Sequence, residues 1–137
     1  MSEVTKPHWI TVPQIGDSRL GYISVAEFGK QVPFEIRRVY WTYYTPNDVT
    51  RGGHAHRELH QLIFAVSGHI EITVVDRHLE RHTFQLDKPS EGVYVPPMCW
   101  RDLRFSHSAV LLCLASSEYN EADYFRTFAE FEACLSK

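Results

Sequence analysis

Arg51-Gly52-Gly53-His54-Ala55-His56-Arg57-Glu58-Leu59-His60-Gln61, followed at once by Leu62-Ile63-Phe64-Ala65-Val66, is the stretch whose reading decides the fold. On an extended segment, histidines one residue apart point to the same face, because side-chain direction repeats every two residues along a strand. The spacing therefore sets two imidazoles side by side. The Gly52-Gly53 pair is expected to turn the backbone tightly just before them, and the apolar run after Gln61 to anchor the segment in a core.

Strands are expected on both sides of this stretch. Phe34 to Tyr44 alternates, with Arg38, Tyr40, Thr42 and Tyr44 on one face and Val39, Trp41 and Tyr43 on the other. Pro46-Asn47-Asp48 breaks that run. Upstream, Trp9 to Val12 and Gly21 to Ala26 read as short strands punctuated by Pro13 and Gly16-Asp17-Ser18. Downstream, strands are expected over Gln61–Val66, His69–Val75, His82–Leu86, Val93–Val95, Trp100–Phe105 and Ala109–Ala115. About eight or nine strands at regular spacing, with no helical pattern between them, favour a closed or two-sheet all-β barrel over an α/β layer fold. Only the tail changes period. Tyr124, Phe128, Phe131 and Leu135 recur at helical spacing, which predicts a helix starting near Asn120-Glu121 and packed on the barrel or on a second subunit.

The totals narrow the function. A chain of 137 residues, 44% hydrophobic, fits a single domain over 1–137 with a real core. Its formal charge of −3, without a lysine or arginine run, gives no electrostatic reason to expect nucleic acid or an anionic membrane as partner. Met1-Ser2-Glu3-Val4-Thr5-Lys6 lacks a signal-peptide pattern, and no apolar run reaches the roughly 18 residues of a membrane span. A cytoplasmic location is the default expectation. Three widely spaced cysteines, Cys99, Cys113 and Cys134, fit neither a disulfide framework nor a structural zinc site and are expected as buried thiols.

The histidine pair stands beside a polar Arg/Tyr face and the late segment Pro96-Pro97-Met98-Cys99-Trp100-Arg101. A small barrel with an early His-x-His strand and a late Pro-rich strand resembles the cupin superfamily, which implies a jelly-roll barrel here capped by the C-terminal helix. By that resemblance a metal-binding cupin would carry a Glu after the histidine pair and a late Pro-x-Gly-x-x-His. Here His60 or Gln61 occupies the first place, and alignment on Pro96 puts Arg101 at the last histidine. A guanidinium is permanently charged and has no lone pair for a metal. No metal and no cofactor are therefore expected. Without a metal the two histidines become proton-transfer groups, since an imidazole of pKa about 6.5 takes and returns a proton at neutral pH. Tyr40 is placed to bond or relay at an enolic oxygen, and Arg51 and Arg101 to hold an enediolate or a phosphate. His69, His78, His82 and His107 lie in or near turns and strands without evident partners and read as structural.

A narrower resemblance rests on Arg38-Val39-Tyr40, Arg51-Gly52-Gly53-His54-Ala55-His56, Leu59 and Gln61, Pro96-Pro97 with Trp100, Leu114-Ala115-Ser116, and Tyr119 with Asp123-Tyr124 and Arg126. Together these residues, across about 34–131, resemble the dTDP-4-keto-6-deoxyglucose 3,4-ketoisomerase family, also called sugar 3,4-ketoisomerases or WxcM-like proteins. The resemblance implies a metal-free cupin barrel, a homodimer with exchanged strands, and a dTDP-linked 4-keto-6-deoxyhexose substrate. It also implies a place in deoxysugar biosynthesis, as for lipopolysaccharide O-antigen. Under it, His54 or His56 abstracts the C3 proton, and the other histidine or Tyr40 manages protons at oxygen and C4. Arg51, Arg38, Gln61, Trp100 and Arg101 contact the substrate. His60 is a third histidine that would compete for the role of base if it joined the site. Three other readings stay open: a cupin sugar-nucleotide epimerase, a metal-dependent cupin enzyme, and a non-catalytic sugar-nucleotide binding module.

Overall fold

The computed structural model describes residues 6–137; residues 1–5, read above as lacking a signal-peptide pattern, lie outside the described residues. Twelve strands form among them: β1 (His8–Thr11), β2 (Gln14–Asp17), β3 (Gly21–Ser24), β4 (Arg38–Thr42), β5 (Thr50–His56), β6 (Gln61–Ser67), β7 (Ile70–Val75), β8 (Arg81–Leu86), β9 (Glu91–Val95), β10 (Trp100–Phe105), β11 (Val110–Ala115) and β12 (Tyr124–Phe125). One helix, α1 (Phe128–Leu135), closes the chain. Two antiparallel five-stranded sheets carry the fold, in the orders β1-β9-β6-β11-β4 and β12-β5-β10-β7-β8. The expected all-β, cupin-type class with a C-terminal helix is what the chain adopts.

Alternation within the strands divides the interior. Ile63 and Ala65 of β6, Ile70, Ile72 and Val74 of β7, Leu103 and Phe105 of β10 and Leu111 and Cys113 of β11 pack in one central core. Leu62 and Phe64, on the other face of β6, pack with Val12, Val32, Phe34, Tyr94 and Leu114. A strand covered on both faces reads as an unbroken apolar run, which is why 62–65 shows no alternation in the sequence. A third cluster joins Ala55, Phe125 and Phe131 with Met98, Trp100 and Leu135, so α1 rides on β5 and β10.

Three local expectations are revised. Gly52 and Gly53 do not turn the chain ahead of the histidines; they form an irregularity inside β5, where Arg101 faces His54 but its neighbour Asp102 faces Gly52. Both adopt positive φ, +87° and +67°, and a Cβ on Gly52 would meet Arg101 O at 2.9 Å, so only glycine fits that approach. Residues 14–17, read partly as punctuation, form β2, which pairs with β3 in a hairpin whose turn is held by Asp17 Oδ1 accepting from the Arg19 and Leu20 amides.

The third revision concerns the tail. The helix does not begin near Asn120: Glu121–Asp123 form a single 3-10 turn, Tyr124 and Phe125 pair with His56 and Ala55, and the helix starts only at Phe128. Thr127 caps it by accepting from the Glu130 amide at 3.2 Å, with Thr127 Oγ1 and Glu130 Oε1 at 2.9 Å. Tyr124 thus leaves the helical stripe for the strand edge beside the histidines.

Candidate active site

The strand irregularity delivers His54 and His56 side by side, ring centroids 4.9 Å apart and nearly perpendicular. Cross-strand neighbours share a face, so His54 lies on the same inward side as its partner Arg101. From the adjoining β12, Tyr124 covers both rings, its centroid 4.3 Å from His56 and 5.1 Å from His54, with the Arg126 guanidinium stacked 3.8 Å above it. The pair therefore sits under an aromatic cover.

His56 is almost fully buried, and its Nδ1 lies 3.0 Å from Asp123 Oδ2. Asp123 is itself held: its Oδ1 accepts from the Glu58 amide at 2.8 Å and its backbone carbonyl from the Arg57 amide at 2.8 Å. Burial, then the Arg101 charge, lowers His54 to about 3; the same two causes, with help from His54, lower His56 to about 2. Both rings are neutral at physiological pH, the form that accepts a proton.

Below them runs a buried polar chain. Arg101 is 2% exposed, and its Nη1 donates to Gln61 Oε1 while Nη2 donates to the Cys99 carbonyl at 3.3 Å. Its Nε has no partner, and no carboxylate pairs with it among the described residues. Burial lowers its pKa, yet a guanidinium stays charged. Gln61 Nε2 in turn donates to Tyr40 Oη at 3.0 Å and lies 3.3 Å from Cys113 Sγ. Burial pushes the Tyr40 hydroxyl well above its ordinary value, so Tyr40 keeps its proton and acts as a donor. Arg38 stands over Tyr40, guanidinium carbon to ring centroid 5.5 Å, and its buried Nε is also unpartnered.

The predicted residues thus divide. His54, His56, Tyr40, Arg38 and Arg101 converge. Gln61 belongs to the same network, but its amide is taken up by Arg101 and Tyr40; it is a buried strut, where substrate contact was expected. Arg51 is exposed on β5, opposite Leu103. Trp100, next to Arg101 on a strand, points to the opposite face and packs against Phe128 at 5.5 Å and Phe131 at 6.2 Å. His60 does not join the pair; it bonds Tyr94 at 2.6 Å and stacks on Phe34. Sequence reasoning placed none of Asp123, Tyr124 and Cys113 in the site. The Thr127-x-x-Glu130 capping box was the available signal, because it starts the helix at Phe128 and frees the residues before it.

Among the described residues, the one group with converging metal-type atoms is Asp76, Glu80 and His82, at the β7–β8 turn. Those atoms are already engaged: His82 Nε2 lies 2.8 Å from Asp76 Oδ2, and Lys6 Nζ donates to Glu80 at 2.9 Å.

A cupin-type barrel with two neutral imidazoles, a protonated tyrosine and an uncompensated buried guanidinium defines an enzyme class that moves protons on an anionic or anion-forming substrate. The comparisons narrow that class. The chain belongs to the FdtA family, WxcM-like, C-terminal, whose model matches residues 5–136. It is 34% identical over 129 residues, 93% of this chain and 91% of the relative, to the TDP-4-oxo-6-deoxy-alpha-D-glucose-3,4-oxoisomerase of Aneurinibacillus thermoaerophilus. Among solved structures it is similar to a 3,4-ketoisomerase from Helicobacter canadensis, with a TM-score of 0.91, 34% identity, and coverage of 98% of this chain and 100% of that one. It is also similar to a histidine-to-asparagine variant of the 3,4-ketoisomerase QdtA from Thermoanaerobacterium thermosaccharolyticum, in complex with TDP-4-keto-6-deoxyglucose. There the TM-score is 0.90 at 31% identity, over 98% of this chain and 96% of that one.

Proposed function

We infer that the protein is a sugar-nucleotide 3,4-ketoisomerase acting on a dTDP-linked 4-keto-6-deoxyhexose in deoxysugar biosynthesis. The observation that carries this reading is the buried Arg101 guanidinium, without a carboxylate, beside two neutral imidazoles. An unpaired buried cation is costly, and the missing counter-charge is what an enediolate supplies as it forms.

The chemistry is redox-neutral overall. The C4 ketone acidifies the C3 hydrogen; one histidine removes it as a proton, and the C–H electron pair becomes the C3=C4 double bond as the C4 oxygen takes the charge. A proton moves from the C3 hydroxyl to the C4 oxygen, and the electrons then collapse to a C3 carbonyl as C4 is protonated. Tyr40, oriented by the Gln61 amide and keeping its proton, is placed to donate to these oxygens. Arg38 and Arg101 stabilise the oxyanion, and exposed Arg51 meets the pyrophosphate. The imidazolium formed in the first step is tolerated because the negative charge arising next to it offsets Arg101.

We also infer a homodimer with exchanged strands, supported by the β2–β3 hairpin. The two strands pair with each other and expose Ile15, Leu20, Tyr22 and Ile23.

The deciding experiment is incubation with dTDP-4-keto-6-deoxyglucose in deuterium oxide, followed by NMR. A 3-keto product with deuterium at C4, and exchange confined to C3 and C4, is expected. Exchange at C3 and C5 would make the protein an epimerase, and no exchange under any condition a binding module.

A further inference from the structure

The buried polar chain has a direction, and Gln61 sets it. Gln61, 1% exposed, opens β6 in the middle of the first sheet, between Ala115 of β11 and Val95 of β9. From the opposite sheet, Arg101 of β10 donates through Nη1 to Gln61 Oε1. A guanidinium has donors and no acceptor, so the oxygen of the amide faces it and the NH2 end faces away. That end reaches Tyr40 Oη at 3.0 Å and Cys113 Sγ at 3.3 Å, one partner for each of its two hydrogens.

This order decides where the Tyr40 hydrogen goes. Tyr40 Oη accepts from the amide and so cannot give its own hydrogen back to it. The other group in reach is the Cys113 thiol, which lies opposite Tyr40 in the β11–β4 register. Sulfur is a weak acceptor. The hydroxyl hydrogen is therefore held without a strong partner and turns readily to an oxygen on which negative charge builds up. The groups bearing on Tyr40 are Arg101 of β10, Cys113 of β11, Gln61 of β6 and, on its own strand, Arg38; none of them is a carboxylate. A carboxylate at position 61 would undo the arrangement. It would accept from Arg101 as the amide does, but it would accept from Tyr40 as well, drawing the hydroxyl hydrogen away from the substrate, and its charge would offset the guanidinium.

We propose that Gln61 is a positioning residue of this site: its amide, oriented by Arg101, holds Tyr40 with the hydroxyl hydrogen turned toward the substrate, and its neutrality leaves Arg101 uncompensated until the enediolate forms. Tyr40 then donates a hydrogen bond to the C4 oxygen as that oxygen takes up the electron pair of the broken C3–H bond. Gln61 itself makes and breaks no covalent bond. This proposal rests on the ketoisomerase reading above.

The test compares wild type with Gln61→Glu, Gln61→Met, Tyr40→Phe and the Gln61→Met/Tyr40→Phe double variant, assayed on dTDP-4-keto-6-deoxyglucose and melted in parallel. Gln61→Glu keeps the shape of the side chain and the acceptor for Arg101. It is expected to lower kcat by about 10²–10³-fold, with KM within about threefold of wild type. Its Tm is expected at or above wild type, because the buried guanidinium gains a counter-charge. Gln61→Met, which donates to neither partner and carries no charge, is expected to lower kcat by about tenfold, the size of one lost hydrogen bond. In the Tyr40→Phe background the same change should matter by no more than about twofold, because Gln61 acts through the tyrosine hydroxyl. A Gln61→Glu enzyme at wild-type kcat, or one whose rate falls together with its Tm, would overturn the proposal. So would losses in Gln61→Met and Tyr40→Phe that multiply in the double variant. Each of these results leaves an active ketoisomerase in place; a wild type that turns over no substrate would instead overturn the ketoisomerase reading, and this proposal with it.

Discussion

At the scale of single residues, Arg101 concentrates the conflict between stability and activity. A guanidinium buried to 2% exposure, bonded to an amide oxygen and a backbone carbonyl, destabilises the fold that contains it. Arg101→Met keeps much of the volume and removes the charge, leaving Gln61 Oε1 short of a donor, which costs about 1–3 kcal/mol. Loss of the larger desolvation penalty outweighs that cost. Tm is therefore expected at or above wild type, and kcat is expected to fall by about 10²–10³-fold, the usual effect of removing one preorganised oxyanion donor. Thermal melts and steady-state kinetics on one preparation check both halves; an Arg101→Met enzyme that loses stability and keeps its rate would contradict this account. The identity of these groups was legible in the sequence, because His54-Ala55-His56 and Arg38-Val39-Tyr40 need only strand alternation to share faces. The Gln61 role was not, because it depends on which two side chains its amide reaches.

At the scale of elements, pattern reading succeeded where one face of a segment is buried and failed where two neighbours compete for a segment. The strands from β6 to β11 follow the expected order because each has its own apolar pattern, an unbroken run in β6 and alternation in β7. Residues 119–126 have an aromatic spacing that suits a helix, but the edge of β5 offers Tyr124 and Phe125 backbone partners that a helix start would forgo. The β2–β3 hairpin makes the element-level prediction. Leu20, 81% exposed, and Ile23, 65% exposed, are large apolar residues on a hairpin paired only with itself among the described strands. A Leu20→Ser/Ile23→Ser double variant is expected to shift the mass in light scattering from twice the chain mass toward the single chain, with the far-UV circular dichroism of the barrel kept. A wild type already at single-chain mass would end the dimer reading.

At the scale of the whole molecule, the neutral histidines link folding to pH. In the unfolded chain both titrate near the ordinary value of about 6.5, while in the fold burial and Arg101 hold them at about 3 and about 2. Below 6.5 the unfolded state therefore binds protons that the folded state does not, and stability falls as pH falls through the window from 6.5 toward those lower values. Between pH 7 and 5.5 the two rings together should cost about 2 kcal/mol of unfolding free energy. Urea denaturation of wild type and a His54→Asn/His56→Asn double variant at both pH values measures this; equal losses in the two proteins would show that the rings are not held neutral.

The sequence by itself determined the all-β class, the shared face of His54 and His56, the polar face of β4 and the resemblance to sugar 3,4-ketoisomerases. These follow from two-residue periodicity and local residue chemistry, which are properties of neighbours in the chain. Only the tertiary structure decided that Trp100 faces the helix, that His60 turns to Tyr94, that Arg101 is buried without a carboxylate, and that Asp123 reaches His56 from 67 residues away. Each depends on which strands become neighbours and in what register. Register is set by burial summed over the whole barrel, so no single stretch encodes it.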